Sequence, residues 1–125
     1  MARILIIDDN PHLLAALRKL LVNQGHTIID VPNSGVGIAM HHKEPFDLIL
    51  TDIVMPGKEG ISTIIELKKD YPNLKIIAMS GGGSNEPYGY LDIAKRVGAD
   101  RTLAKPFSSE ELIEMIDQLL DESSG

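Results

Sequence analysis

Five short apolar runs, rich in β-branched residues, recur along the chain and alternate with segments of helical periodicity. Each run is too short to form a helix and has the composition of a strand buried on both faces of a sheet. Successive strands separated by helices need crossover connections, which produce a parallel sheet covered on both faces. We therefore predict an α/β fold with strands at Arg3–Ile7, Thr27–Val31, Leu48–Thr51, Lys75–Met79 and Arg101–Ala104.

The first and last helices have the clearest end signals. Asn10 is a suitable N-cap, Pro11 fits the first helical position because its missing N–H costs nothing there, and Gly25 closes the helix. Ser108 and Glu111 form a capping box that begins the last helix. The remaining helices are predicted at Ser34–His42, around Ile61–Leu67 and around Tyr88–Val97.

Length, charge and composition exclude several classes of protein. The 125 residues include 12 Lys+Arg and 18 Asp+Glu, a net charge of −6, which argues against a nucleic-acid-binding surface. The absence of cysteine excludes disulfides and thiolate zinc sites and is compatible with the cytoplasm. Since no apolar run approaches the roughly 20 residues of a membrane span, we expect a cytoplasmic protein that binds no membrane. The predicted domain comprises residues 1–121, and 122–125 form a short polar tail.

Carboxylates, a hydroxyl and a lysine follow the predicted strands. Asp8 and Asp9 come after the first strand, and Asp52, Ser80 and Lys105 come after the third, fourth and fifth. Ligands of open parallel sheets bind beyond the carboxyl ends of the strands, so these side chains are expected to converge. Three close carboxylates repel one another, and a hard divalent cation such as Mg²⁺ relieves that repulsion.

This set of groups favours phosphoryl transfer. A metal ion and the ammonium group of Lys105 would neutralise phosphoryl oxygens, and Ser80 would donate a hydrogen bond to another. Asp52, on the predicted central strand, is the candidate nucleophile, since carboxylates form acyl phosphates in covalent phosphoryl transfer.

Four motifs, in this order, make the chain similar to the receiver domain of two-component response regulators. The resemblance extends from Arg3 to about Asp121. The motifs are Ile6–Asn10, then Leu48–Gly57 with Gly60, then Ser80-Gly81, and finally Gly98-Ala99-Asp100 leading into Lys105-Pro106-Phe107.

The resemblance implies a fold and a set of site residues. The fold is a flavodoxin-like, doubly wound, five-stranded parallel sheet in the order 2-1-3-4-5 with five helices. Asp52 would be the phosphoacceptor, Ser80 and Lys105 would contact the phosphoryl group, and the Lys105–Pro106 bond would be cis. The implied Mg²⁺ ligands are Asp8, Asp9, Asp52 and the backbone carbonyl of Val54.

The resemblance also implies partners. A sensor histidine kinase or a phosphotransfer protein would donate the phosphoryl group, and a changed surface would be presented to an output protein. The domain would act as a monomer or weak dimer. It would be a signalling switch, not a turnover enzyme, and would catalyse at most its own phosphotransfer and autodephosphorylation.

The chain departs from the family pattern at three places. Thr102 stands at a switch position where receivers usually carry Tyr or Phe, and Val54 is apolar where many receivers are polar. Ser80 and Lys105 are 25 positions apart, a longer interval than the family suggests, with the surplus in 81–90. We hypothesise that Tyr88 or Tyr90 takes over part of the role that Thr102 cannot play.

Other functions remain open from sequence. Because Thr102 replaces the usual aromatic switch residue, the alternative is a receiver-like interaction module that works without phosphorylation. An aspartyl-phosphate phosphatase would need a second Asp where Val54 stands, and a nucleotide or flavin binder would need a phosphate loop in place of Asp8-Asp9-Asn10. The histidines lack ligand spacing and are predicted to be solvated or partly buried structural residues: His12, His26, His41 and His42.

Overall fold

Five parallel strands form one sheet in the order β2-β1-β3-β4-β5. The computed structural model describes residues 1–53, 59–80 and 90–124, and side chains are described for these residues except 59, 90 and 122–124. The elements are β1 (Arg3–Ile7), α1 (Pro11–Asn23), β2 (Thr27–Val31), α2 (Ser34–Lys43), β3 (Leu48–Asp52), α3 (Glu59–Asp70), β4 (Lys75–Ser80), α4 (Tyr90–Arg96), β5 (Arg101–Ala104) and α5 (Ser109–Ser124). The predicted fold class and strand order are confirmed.

The sheet separates two hydrophobic cores. In β1, Ile4 and Ile6 pack with α1 and α5 on one face, and Leu5 and Ile7 pack with α2, α3 and α4 on the other. All four side chains are fully buried. Burial of each such side chain contributes about 1.5–3 kcal/mol, so β1 is held firmly from both faces.

Helix ends agree with the sequence signals. The Asn10 side chain accepts hydrogen bonds from the amides of His12 and Leu13 at 3.0 and 3.3 Å, and Pro11 is the first residue of α1. The Ser108 hydroxyl accepts from the Glu111 amide at 3.0 Å. Helix α5 continues to Ser124, so residues 122–124 belong to a helix in the structure. None of the described helices has the length and apolarity needed to cross a membrane.

One histidine prediction was wrong, because His41 is buried with 2% exposure. Its Nδ1 accepts a hydrogen bond from the Phe46 amide at 3.0 Å, and its ring lies edge-on to Tyr71 at 4.4 Å. The Tyr71 hydroxyl also hydrogen-bonds Nδ1 of the exposed His42. His41 therefore links α2 to the segment that leads into β3, and its Nδ1 is unprotonated because it accepts this hydrogen bond.

Acid should weaken the fold through His41. Burial, with a smaller effect from the charge of His42, lowers the pKa of His41 below the ordinary histidine value. Below that ordinary value the unfolded chain binds more protons than the folded chain, so the free energy of unfolding falls as the pH falls. Between about pH 7.5 and about pH 5, urea denaturation should show a larger loss in the wild type than in His41→Gln. An equal loss in both proteins would contradict this assignment.

Candidate functional site

Three carboxylates meet at the carboxyl edge of the sheet. Asp8 follows β1, Asp52 ends the neighbouring β3, and Asp9 lies beside them, with one oxygen of each within 4.8 Å of the others. Asp8 is fully buried and Asp52 is 5% exposed, whereas Asp9 is exposed to solvent. The predicted acidic cluster therefore forms, and water screens the repulsion between Asp8 and Asp52 poorly.

Lys105 lies against two of these carboxylates. Its Nζ is 2.8 Å from Oδ2 of Asp8 and 3.3 Å from Oδ2 of Asp52. Burial lowers the pKa of Lys105, but hydrogen bonds and charge attraction from Asp8 and Asp52 outweigh it, so the pKa is raised overall. The lysine is thus a cation at neutral pH and offsets part of the carboxylate repulsion.

The Ser80 hydroxyl is buried, and no described residue hydrogen-bonds it. Ser80 ends β4 with no exposed surface, and its Oγ has no hydrogen-bond partner within the described residues. A buried hydroxyl left unpaired costs about 1–3 kcal/mol. The backbone carbonyl of Ser80, in contrast, accepts from the Lys105 amide at 2.8 Å. Ser80 therefore offers a hydroxyl that an incoming polar ligand could satisfy.

Gly60 sets the approach of α3 to the site, a role that sequence reasoning missed. A Cβ on Gly60 would lie 2.2 Å from the Cα of Ile53, the residue after Asp52. No side chain fits at that distance, so only glycine lets the start of α3 pack there. The available signal was a glycine near a predicted helix start. The sequence alone does not show that the backbone of Ile53 packs against it.

The predicted switch residues are only partly described. Thr102 is half-buried on β5 and pairs with Ala78 of β4, and the Lys105–Pro106 bond is cis as the resemblance implied. Val54 and Tyr88 lie outside the described residues, as does the Tyr90 side chain. The metal role of Val54 and the tyrosine hypothesis therefore stay predictions.

The arrangement suits an anionic ligand bound together with a cation. Carboxylate oxygens are the ligands that hard divalent cations prefer. The ammonium group of Lys105 and the hydroxyl of Ser80 are both suited to the oxygens of a phosphoryl group. All five side chains come from the ends of strands or the residues just after them: Asp8, Asp9, Asp52, Ser80 and Lys105.

Comparison with known proteins identifies the family. The model of the response regulator receiver domain matches residues 4–117. The chain belongs to the receiver domains of two-component response regulators.

Relatives differ in how much of their length the chain covers. It is 35% identical to protein PilH of Pseudomonas aeruginosa over 124 residues, which cover 96% of this chain and 98% of PilH. It is 33% identical to the transcriptional regulatory protein CpxR of Escherichia coli over 125 residues, which cover 98% of this chain and 51% of CpxR. The chain thus spans nearly all of the first relative and about half of the second.

A solved structure confirms the architecture. The CheY-like response regulator receiver domain protein from Methanospirillum hungatei matches with a TM-score of 0.90 and 31% identity. The match covers 99% of this chain and 97% of that structure.

Asp9 should weaken the fold when no divalent cation is present. Its carboxylate adds to the repulsion at the acidic cluster, so Asp9→Asn should raise the free energy of unfolding by about 1 kcal/mol. Asp70→Asn, at an exposed carboxylate on α3, is the control. Urea denaturation in chelator measures both. A loss of stability in Asp9→Asn would mean that Asp9 makes a stabilising contact instead.

Proposed function

We propose that this receiver domain accepts a phosphoryl group on Asp52, in a Mg²⁺-dependent transfer from a sensor histidine kinase or phosphotransfer protein. One observation carries the proposal. Three carboxylates, a lysine cation and a buried hydroxyl without a partner among the described residues converge at one edge of the sheet. A solvated set of surface acids would need neither the buried hydroxyl nor the lysine.

Asp52 is the nucleophile in this proposal. One carboxylate oxygen of Asp52 forms a bond to phosphorus while the P–N bond of the donor phosphohistidine breaks, and the imidazole leaves with the bonding electron pair. Asp52 lies at the end of β3, which is the middle strand of the sheet. Its 5% exposure leaves only a narrow approach for a donor.

The acidic cluster would hold Mg²⁺ through the side chains of Asp8, Asp9 and Asp52 and, as the resemblance implies, the carbonyl of Val54. When bound, the ion would neutralise phosphoryl charge and favour attack by a carboxylate. The carboxylate oxygens of the cluster fit this hard cation, because they lie within 4.8 Å of one another and two of the residues are fixed by burial.

Lys105 and Ser80 would hold the phosphoryl group. Nζ of Lys105 is 3.3 Å from Oδ2 of Asp52, so it is within reach of oxygens attached to a phosphorylated Asp52. The Ser80 hydroxyl would donate to another phosphoryl oxygen and would gain the partner that it lacks in the described structure. Both side chains would therefore contact the phosphoryl group directly.

The output is a changed protein-interaction surface. Ser80 ends β4, and its carbonyl holds the Lys105 amide at the end of β5, so movement of Ser80 displaces both strand ends. An output protein would recognise the altered surface, with the domain acting as a cytoplasmic monomer or weak dimer. The protein would be a switch that catalyses only its own phosphotransfer and autodephosphorylation.

Incubation with acetyl phosphate and Mg²⁺, followed by rapid quenching and intact-mass measurement, tests the proposal. The wild type should carry one phosphoryl adduct that requires Mg²⁺. Asp52→Asn should carry none, and the control Asp70→Asn should behave as the wild type. Ser80→Ala should still be modified, since it retains the nucleophile.

Two outcomes would contradict the proposed chemistry. An adduct that persists in Asp52→Asn would place the phosphoacceptor elsewhere. The absence of any adduct in a Mg²⁺-bound wild type would favour an interaction module that works without phosphorylation.

A further inference from the structure

We propose that Lys68 and Asp100 are positioning residues that hold Lys105 in place by fixing the register of β5 against β4. These two residues lie near the end of the sheet at which β4 and β5 begin, whereas the acidic cluster lies at the end at which the strands finish. The catalytic consequence rests on the proposed function, whereas the structural consequence can be measured without it. Asp100 belongs to the Gly98-Ala99-Asp100 motif, to which the phosphoryl chemistry assigns no role.

Lys68 and Asp100 form a compact set of contacts, here called the Lys68 clasp, with the backbone of Leu74 and Ile76. Nζ of Lys68 lies 2.9 Å from Oδ2 of Asp100 and donates to the carbonyl of Leu74 at 2.6 Å. The same Asp100 oxygen accepts from the Ile76 amide at 2.9 Å. The clasp thus joins α3, the start of β4 and the residue before β5.

The clasp is partly withdrawn from solvent, unlike an ordinary surface ion pair. The side chains of Lys68 and Asp100 are 16% and 23% exposed. Gly98 makes room for the lysine, because a Cβ at this position would lie 2.8 Å from Cγ of Lys68. Gly98 also has φ of +127°, which disfavours other residues. A side chain at position 98 would therefore crowd the aliphatic part of Lys68.

Strand β5 needs such an anchor. It has four residues, lies at an edge of the sheet and pairs only with β4 among the described strands. Leu103 is the one buried residue of β5, so the apolar pattern specifies the register of this strand less strongly than that of the strands buried on both faces. Before the first pair, Ile77 with Arg101, the Asp100 amide donates to the carbonyl of Ile76 at 2.8 Å. Together with the Asp100 side chain, this bond fixes where β5 begins along β4.

The other end of the same two strands carries Ser80 and Lys105. Ser80 pairs with Ala104, and the next residue, Lys105, donates its amide to the Ser80 carbonyl at 2.8 Å. A displacement of β5 by one residue would move Lys105 about 3.3 Å along the strand. Because catalytic groups must be held within about 0.5 Å of their productive positions, even a partial displacement would misplace Nζ.

The positions of the three candidate metal-binding carboxylates should not depend on the clasp. Asp8, Asp9 and Asp52 are carried by β1 and β3 or follow them directly, and neither strand contributes to the clasp. Loss of the clasp should therefore slow phosphorylation while Mg²⁺ binding is retained. This separation distinguishes a positioning role from general destabilisation, which would affect both properties of the site.

The test compares Lys68→Met with Lys69→Met, which removes the neighbouring exposed lysine of the same helix turn. Lys68→Arg keeps the cation and is the rescue variant. The measurements are hydrogen exchange of the Lys105 amide, Mg²⁺ affinity by titration, and the initial rate of Asp52 phosphorylation by acetyl phosphate. All three measurements are made under conditions in which circular dichroism shows that each variant is folded.

In Lys68→Met we expect the Lys105 amide to exchange about tenfold faster and phosphorylation to slow by about tenfold. Mg²⁺ affinity should not fall by more than about twofold, because the carboxylates stay in place and a displaced Lys105 cation repels the ion less. Lys69→Met should match the wild type, and Lys68→Arg should recover most of the rate. If Lys68→Met does not fold, Asp100→Asn replaces it, because the amide oxygen can still accept from Ile76.

Three results would overturn the inference. They are unchanged exchange at Lys105, faster exchange with an unchanged phosphorylation rate, and an equal effect of Lys69→Met. If the wild type itself takes no phosphoryl group, the proposed function fails, and exchange at the Lys105 amide alone decides whether the clasp positions Lys105.

Discussion

The ion pair between Lys105 and Asp8 joins residues 97 positions apart and sets the charge balance of the site. Asp8 is held at the end of a strand that is buried on both faces, so its carboxylate cannot turn towards solvent. Without a nearby cation, burial of Asp8 beside Asp52 would be strongly unfavourable. Lys105 supplies that positive charge, and the other polar groups of the site lie around it at the carboxyl ends of the strands.

Much of the site could be predicted from the sequence because of one geometric rule. The carboxyl ends of parallel strands share an edge, so polar residues that follow successive apolar runs must converge. Asp8, Asp52, Ser80 and Lys105 follow that rule. The contact between Lys105 and Asp8 itself depends on side-chain conformation, and strand spacing alone does not specify it.

Other features could not be predicted, because they lack a periodic signal. The buried face of α2 consists of Ser34, Gly37 and His41, so no apolar stripe predicted that His41 would be buried. Gly37 packs where a Cβ would come within 2.8 Å of Ile7. In the Lys68 clasp, an ion pair joins side chains 32 positions apart and Lys68 also donates to the main-chain carbonyl of Leu74, and a sequence pattern specifies neither contact.

The Ser80 hydroxyl, which has no hydrogen-bond partner among the described residues, limits how far the proposed switch can be shifted towards one conformation. A hydrogen-bond partner for that hydroxyl stabilises one conformation by about 1–3 kcal/mol, which changes the population ratio of two conformations by a factor of roughly 5 to 150. A shift from 1:99 to 99:1 needs about 5.5 kcal/mol. Through Ser80 alone, the modified and unmodified domains would therefore sample both conformations, and signalling would be graded according to the share of each.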